Sequence, residues 1–333
     1  MHRIASFFIL SGFCFWMGCT YSTTKTNGTI DSESRTKIKN LTDRLIVEIY
    51  RGDVHKVTEL YSDTLKKKFG NTTAKFVATI KSVLISTKYT FANEYLASNS
   101  EIGKTGTIDK KFTGGDYILK FPTKTKETYI ALVVPEGKEN QVLLTCIYGK
   151  FGEDWKLTAL WASDYSFYGK NALEYYKQAQ EKLAKGNLVE ALSDANMSEL
   201  VLSPAGEYFI YLKNEEIKAF VKSTLNKTKK KLHMPLDVGQ IKTVPKIFNL
   251  GFVPTKDGIC PIVAYVSKVN FSDTIALKDE NNQLKEIIRS VLPGVTENKK
   301  CVYFRAYSEL PEKKKEVNTY TFMVRPMDTL QTH

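Results

Sequence analysis

The sequence predicts an α+β fold, in which helices precede a curved antiparallel, cone-like sheet and a helical connector leads to a small C-terminal α+β region. Apolar residues recur every three or four positions between residues 38 and 84, as in amphipathic helices. Between residues 89 and 162 they join β-branched and aromatic residues in short runs, as in strands. The helical period returns after residue 169. We therefore expect structural units at residues 38–168, 169–233 and 234–333.

The first unit should begin with three helices. Residues 38–51 place their apolar side chains on one face, and Gly52 ends that helix. Asp53 can cap a second helix that continues to Gly70, with lysines in its last turn, where the helix dipole favours cations. Thr72 or Thr73 can cap the third.

Five strands should follow, joined mostly by tight turns rich in Gly, Pro, Asn and Asp. Residues 136–140 predict a hairpin loop, and residues 151–154 predict a second turn that enters a strand carrying Trp155 and Trp161. The expected strands are 89–99, 116–121, 128–134, 141–148 and 155–162.

This order of helices and strands resembles the cystatin-like, or nuclear-transport-factor-two-like, fold over residues 38–168. The resemblance rests on Gly52-Asp53 between two helices, on the lysine-rich helix end and on the terminal strand Asp154-Trp155-Lys156-Leu157. It implies a curved sheet that wraps a long helix and leaves a pocket at its mouth.

Enzymes with such a cone need an acid or a base inside the pocket. His55 lies in the first turn of a helix beside Asp53, where we expect it to face solvent, and Asp116 and Asp164 fall at strand edges or turns. The aromatic residues are expected to form core or pocket wall: Tyr129, Tyr148, Trp155, Trp161 and Phe167. We assign no catalytic and no ligand-binding residue, and we expect no cofactor.

The connector, residues 169–233, should be helical. Residues 172–183 and 188–200 predict a hairpin around Gly186-Asn187 that resembles a single tetratricopeptide repeat, with small alanines between the helices and Pro204 after them. Such repeats need stacked neighbours, so we expect the lone hairpin to pack on another part of the chain. A further helix is expected over residues 207–231, ending in a lysine cluster.

The C-terminal region should contain a strand at residues 262–269, a helix that opens at Asp279 or Asn281, and a final strand pair at residues 301–307 and 319–324. Cys260 and Cys301 lie in this region. They could form a disulfide in an oxidising compartment or be buried as small apolar residues. No two histidines stand at metal-ligand spacing, so we expect no metal site.

The chain carries 48 basic and 36 acidic residues, a formal net charge of +12. Lysine dominates and arginine is scarce, whereas arginine is the usual reader of bases and phosphates. The charge is therefore interpreted as a solvated lysine-rich surface, and no nucleic-acid partner is expected.

The N-terminus predicts export. His2 and Arg3 precede a mainly apolar stretch of 14 residues, Ile4 to Met17, which suits a signal-peptide core and is short for a bilayer span. Gly18 and Cys19 follow, and Trp16-Met17-Gly18-Cys19 resembles the lipobox of bacterial lipoproteins at its last two positions.

That resemblance implies a signal peptide at residues 1–18, diacylglycerol on Cys19 and a flexible tether over residues 19–37. The alternative is an ordinary secretory signal with a coincidental cysteine. Thr20 is not the aspartate that often retains lipoproteins at the inner membrane, which favours the outer membrane.

These patterns favour a non-catalytic, membrane-anchored lipoprotein of the cell envelope that binds a protein or glycan partner or has a structural role. The first alternative is a carrier or sensor that holds a small apolar ligand in the cone pocket. An enzyme is the least favoured class, because the sequence contains no P-loop, nucleotide-binding glycine motif, nucleophile elbow or zinc motif.

Overall fold

The structure, a computed structural model, describes residues 23–70, 72–137, 140–297, 299–312 and 316–324. The described residues confirm the α+β class, with three sheets and no closed barrel. The helices are α1 (Ser32–Arg51), α2 (Val54–Glu59), α3 (Asp63–Phe69), α4 (Thr72–Val83), α5 (Ala172–Ala184), α6 (Leu188–Leu200), α7 (Asn214–Lys231) and α8 (Thr274–Val291). The strands are β1 (Thr23–Thr26), β2 (Leu84–Ser98), β3 (Thr105–Ile108), β4 (Tyr117–Pro122), β5 (Glu127–Gly137), β6 (Asn140–Phe151), β7 (Asp154–Phe167), β8 (Phe209–Tyr211), β9 (Leu236–Asp237), β10 (Lys246–Thr255), β11 (Gly258–Val266), β12 (Val302–Tyr307) and β13 (Thr319–Val324).

The main sheet has the strand order β1-β2-β5-β6-β7, and all its neighbours are antiparallel. The predicted turns are confirmed: β5 ends at Gly137 and β6 begins at Asn140, while Phe151 pairs with Asp154 across the next turn. Four of the five predicted strands lie in this sheet. The remaining predicted strand, residues 116–121, corresponds to β4, which lies in a separate small sheet of order β3-β4-β8.

Helices α1 to α4 cover one face of the main sheet, which we call the helix-covered face. Ile38, Leu45 and Ile49 of α1 are fully buried there against side chains such as Tyr129 and Leu144. Burial of each such side chain contributes about 1.5–3 kcal/mol, so this face is a hydrophobic core of its own.

The prediction of a single helix from Asp53 to Gly70 is wrong. Asp53 does cap α2, because its carboxylate accepts from the Lys56 amide at 3.1 Å. The chain then leaves the helix, and Leu60 and Ser62 exchange backbone hydrogen bonds with Leu157 of β7 at 2.9 and 2.7 Å. An apolar helical period cannot reveal this interruption, because the competing partner is distant in the sequence.

The tether expected over residues 19–37 does not extend through this range. Residues 23–26 form β1, which pairs with the end of β2, and α1 begins at Ser32 under the cap of Asp31, whose carboxylate accepts from Ser34 at 2.8 Å. The β-branched threonines of residues 23–26 suit an edge strand, a signal that the polar composition concealed.

The prediction of a helix over residues 207–231 is wrong about where the helix begins. Phe209–Tyr211 forms β8 and pairs with β4, so that Tyr117 stands opposite Tyr211, and α7 begins only at Asn214. The predicted hairpin is confirmed by α5 and α6, which pack against each other, and α6 also packs against α7 and β10. Their buried residues belong to the same hydrophobic cluster as the face of the main sheet opposite α1 to α4, which we call the outer face.

The C-terminal sheet has the order β13-β12-β11-β10-β9. Its parallel pair, β11 and β12, is joined through α8, and the predicted final strand pair is confirmed as antiparallel β12 and β13. Helix α8 begins earlier than expected, because the carboxylate of Asp273 accepts from the Ala276 amide at 2.9 Å. One cluster of buried residues joins this sheet, the hairpin and the outer face of the main sheet.

Candidate functional site

A small cleft of about 50 Å³ lies where the outer face of the main sheet meets the small sheet and the start of α5. We call it the tyrosine cleft. Its apolar wall includes Leu132 and Leu143, and its polar and aromatic lining consists of Asn93, Asp116, Tyr117, Tyr165, Asn171, Phe209 and Tyr211. Residues from strands β2 and β4 to β8 and from the start of α5 therefore meet in one place.

The pairing of β4 with β8 positions the aromatic wall. The ring of Tyr117 stacks on Phe209 with centroids 4.2 Å apart and also meets Tyr211 edge-on at 6.4 Å. Such ring pairs add about 0.5–1.5 kcal/mol beyond area burial, so they fix the lining side chains in defined orientations.

One side of the cleft is formed by side chains that hydrogen-bond to one another in a chain. The amide of Asn27 donates to Asn93 at 3.3 Å, Asn93 donates to the Tyr117 hydroxyl at 2.7 Å, and the hydroxyls of Tyr117 and Tyr95 bond to each other at 2.8 Å. These groups satisfy one another and link the turn after β1 to strands β2 and β4.

The other side of the cleft is open. Within the described ranges, the hydroxyls of Tyr165 and Tyr211 make no hydrogen bond, and the exposed Asp116 carboxylate makes no ion pair. Hydrogen-bonding groups that line a cleft without a protein partner are available to a ligand.

The tyrosines of the cleft stay protonated. Burial raises the pKa of Tyr117, and the neighbouring Tyr95 adds to the effect. Burial also raises the pKa of Tyr211, helped by nearby Tyr165 and Asp116. Neutral phenols donate and accept hydrogen bonds, so this arrangement suits the binding of a polar group.

A second cluster lies on the helix-covered face around Glu94, beside an open cleft of about 240 Å³. Arg35 donates to one Glu94 oxygen at 3.0 Å and the Tyr129 hydroxyl donates to the other at 2.6 Å. Burial and the Glu94 carboxylate raise the pKa of Tyr129, and hydrogen bonding to Glu94 raises the pKa of Arg35. Both oxygens are occupied, so we interpret this cluster as a structural ion pair.

The candidate residues named from the sequence occupy different environments in the structure. Asp116 lines the tyrosine cleft, whereas Asp164 accepts from Asn140 at 3.2 Å and His55 is exposed beside Glu59 at 3.3 Å. Tyr129, Tyr148, Trp155 and Phe167 are buried and Trp161 is half-buried, as expected for core or wall. Sequence reasoning missed Tyr117, Tyr165 and Tyr211, because only the pairing of distant strands brings them together.

Cys260 and Cys301 form a disulfide, with Cα atoms 5.4 Å apart, which resolves the two alternatives left open by the sequence. Where the structure describes the chain, no group of three or more His, Cys, Asp or Glu residues could hold a metal ion. In the same residues no helix combines the length and the apolar character that a bilayer span requires. Cys19 and the predicted signal peptide lie outside the described residues.

No protein family, curated protein or solved structure matches the chain. The resemblances to the cystatin-like fold and to bacterial lipoproteins therefore stay predictions.

Proposed function

We propose that this chain is a lipid-anchored, non-catalytic protein of the cell envelope whose tyrosine cleft binds a polar group of a protein or glycan partner. The leader and Cys19 support export and anchoring, with the outer membrane favoured by Thr20. The Cys260–Cys301 disulfide is in keeping with an oxidising compartment.

The open side of the tyrosine cleft carries the binding part of this proposal. Tyr165, Tyr211 and Asp116 present hydrogen-bonding side-chain groups that no described residue uses. The phenols are protonated, so each can donate a hydrogen bond to a polar ligand and accept one from it.

The carrier alternative has less support. It depended on a pocket inside the cone, and α1 packs its fully buried Ile38, Leu45 and Ile49 onto that face of the sheet. The tyrosine cleft, at about 50 Å³, is much smaller than the 300–1,000 Å³ range of small-molecule pockets. It accommodates one polar group more readily than a long apolar ligand.

Replacement of Cys19 tests the anchoring part. Cys19→Ser should release the protein from the membrane fraction and abolish labelling by radioactive palmitate, whereas Cys14→Ser should change neither. Unchanged membrane fractionation and labelling of the Cys19→Ser variant would contradict the anchor.

A native mass-spectrometry screen tests the binding part. The full chain would be mixed with peptidoglycan fragments and envelope oligosaccharides. We expect a bound species that is lost when Asp116→Asn and Tyr211→Phe are combined and kept in Asp109→Asn, a matched change at an exposed aspartate in the same β3–β4 connection. Equal binding by all three proteins would place the ligand elsewhere.

A further inference from the structure

Three loops meet at the end of the main sheet where β1 begins, and we call this the anchor-side end. Thr23, the first residue of β1, pairs with Ser98 at the end of β2, and Ser98 pairs with Glu127 at the start of β5. The loop of residues 99–104, the loop of residues 123–126 and the β6–β7 turn therefore project from the same end of the sheet.

We propose that the anchor-side end rests on the phospholipid bilayer, with Ile102 and Phe151 inserted among the headgroups. This inference rests on the proposed acylation of Cys19. Three residues separate Cys19 from Thr23, and the four extended steps between their Cα atoms span at most about 14 Å. An acylated Cys19 therefore holds this end within about 14 Å of the membrane surface.

Two large apolar side chains are exposed at this end. Ile102 is 53% exposed in the loop of residues 99–104, and Phe151 is 43% exposed at the β6–β7 turn. Exposed apolar side chains at a loop tip have no favourable contact in water, but they gain burial at a bilayer surface.

The loop that carries Ile102 is braced. Asn99 donates from its backbone to Lys126 at 2.7 Å and from its side chain to Thr125 at 2.9 Å, and the Gly103 amide donates to Thr123 at 2.7 Å. The ammonium group of Lys126 donates to the Ser100 carbonyl at 2.9 Å. Because these bonds fix both ends of the loop, Ile102 is presented in a defined position.

The same end offers polar groups for lipid headgroups. A cleft of about 120 Å³ opens there, lined in part by Asn99, Lys104 and Thr123. The exposed lysines Lys104 and Lys124 are offset by acidic residues, including Glu101 and Glu153, so the charge at this end is mixed. We therefore expect the contact to depend on apolar insertion more than on anionic lipid, and to persist at high salt.

A fluorophore on a single introduced cysteine tests this orientation. Cys146 is buried and Cys260 and Cys301 are bonded, so a cysteine at position 102 is a selective labelling site in the acylated chain. Ile102→Cys and, as a matched control, Ile85→Cys would each carry the dye in full-length protein reconstituted into phosphatidylcholine vesicles. Ile85 is 44% exposed on the same strand, β2, that leads into the loop, roughly 40 Å from the anchor-side end.

Spin-labelled lipid in the vesicles should quench the dye at position 102 about twofold or more, because inserted side chains lie about 5–10 Å inside the headgroup boundary. It should leave the dye at position 85 unchanged. Quenching at neither site, or at position 85 alone, in protein whose intact mass shows acylation would overturn the orientation while leaving the anchor in place. A mass without acyl groups would instead refute the proposed function, and this inference with it.

Discussion

On the helix-covered face of the main sheet, the buried carboxyl of Glu94 has both oxygens bound, by Arg35 and by Tyr129. On the outer face, the hydroxyls of Tyr165 and Tyr211 line a cleft and have no partner among the described residues. The first set of groups stabilises the fold, because removal of one partner leaves a buried charge unsatisfied. The second set can be changed without breaking a protein contact, which is what a binding surface allows.

High pH should produce the largest effect. Burial raises the pKa of Tyr61 to about 12, and Tyr61 lies fully buried on the helix-covered face. A raised folded-state pKa means that this group's contribution is complete below pH about 10, the pKa of an unfolded tyrosine, and is lost as the pH rises towards 12. We expect alkaline unfolding in that window, measured by circular dichroism together with phenolate absorbance.

Two variants assign the alkaline transition to a face. Tyr61→Phe removes a titrating group from the helix-covered face and should move the unfolding midpoint to higher pH. Tyr165→Phe, on the half-buried wall of the cleft, should move it less. The reverse order would mean that the outer face controls alkaline stability.

Tyr129→Phe should lower the free energy of unfolding by about 2 kcal/mol, because it removes a hydrogen bond to a buried carboxylate. Tyr211→Phe removes a hydroxyl with no protein partner and should change stability by less than about 0.5 kcal/mol. Urea denaturation of both variants gives the comparison directly. Equal losses would show that the open hydroxyl is also structural, and the distinction between the faces would fail.

A third region, around Glu280 in α8, contains buried polar groups of another kind. Glu280 of α8 is 2% exposed, and neither of its carboxyl oxygens has a hydrogen-bond partner among the described residues. The Tyr265 hydroxyl also lacks a partner among them, and burial, with Glu280 adding to it, raises the pKa of Tyr265. No cleft described above reaches these groups, so an unpartnered polar atom marks a binding site only where a ligand can approach it.

Glu280→Met should therefore stabilise the chain by about 1–2 kcal/mol, because it replaces an unsatisfied buried carboxyl with an apolar group of similar size. Glu280→Gln, which keeps a polar group in the same place, should gain less. Differential scanning calorimetry resolves the two. Destabilisation by Glu280→Met would mean that the carboxyl supports the fold.

Local signals predicted much of this fold. Gly52 and Asp53 mark a helix boundary, and the turn at residues 151–154 joins two strands as expected. Each of these depends on a few adjacent residues with special backbone or capping properties.

The failures share a different cause. Leu60 to Ser62 leave their helix to bond with Leu157, and residues 209–211 form a strand because Tyr117 and its neighbours are there to pair with. Partners so distant in sequence leave no trace in local periodicity. The tyrosine cleft depends on the second of these pairings, and the sequence alone therefore indicated Asp116 but not the tyrosines around it.

The division between a structural face and a binding face has a function in the envelope only if the chain is exported and anchored. The intact mass of the protein purified from its own membranes tests this most directly. We expect a chain that begins at Cys19 and carries the added mass of diacylglycerol and a fatty acid. A soluble chain that retains Met1 and bears no lipid would contradict it.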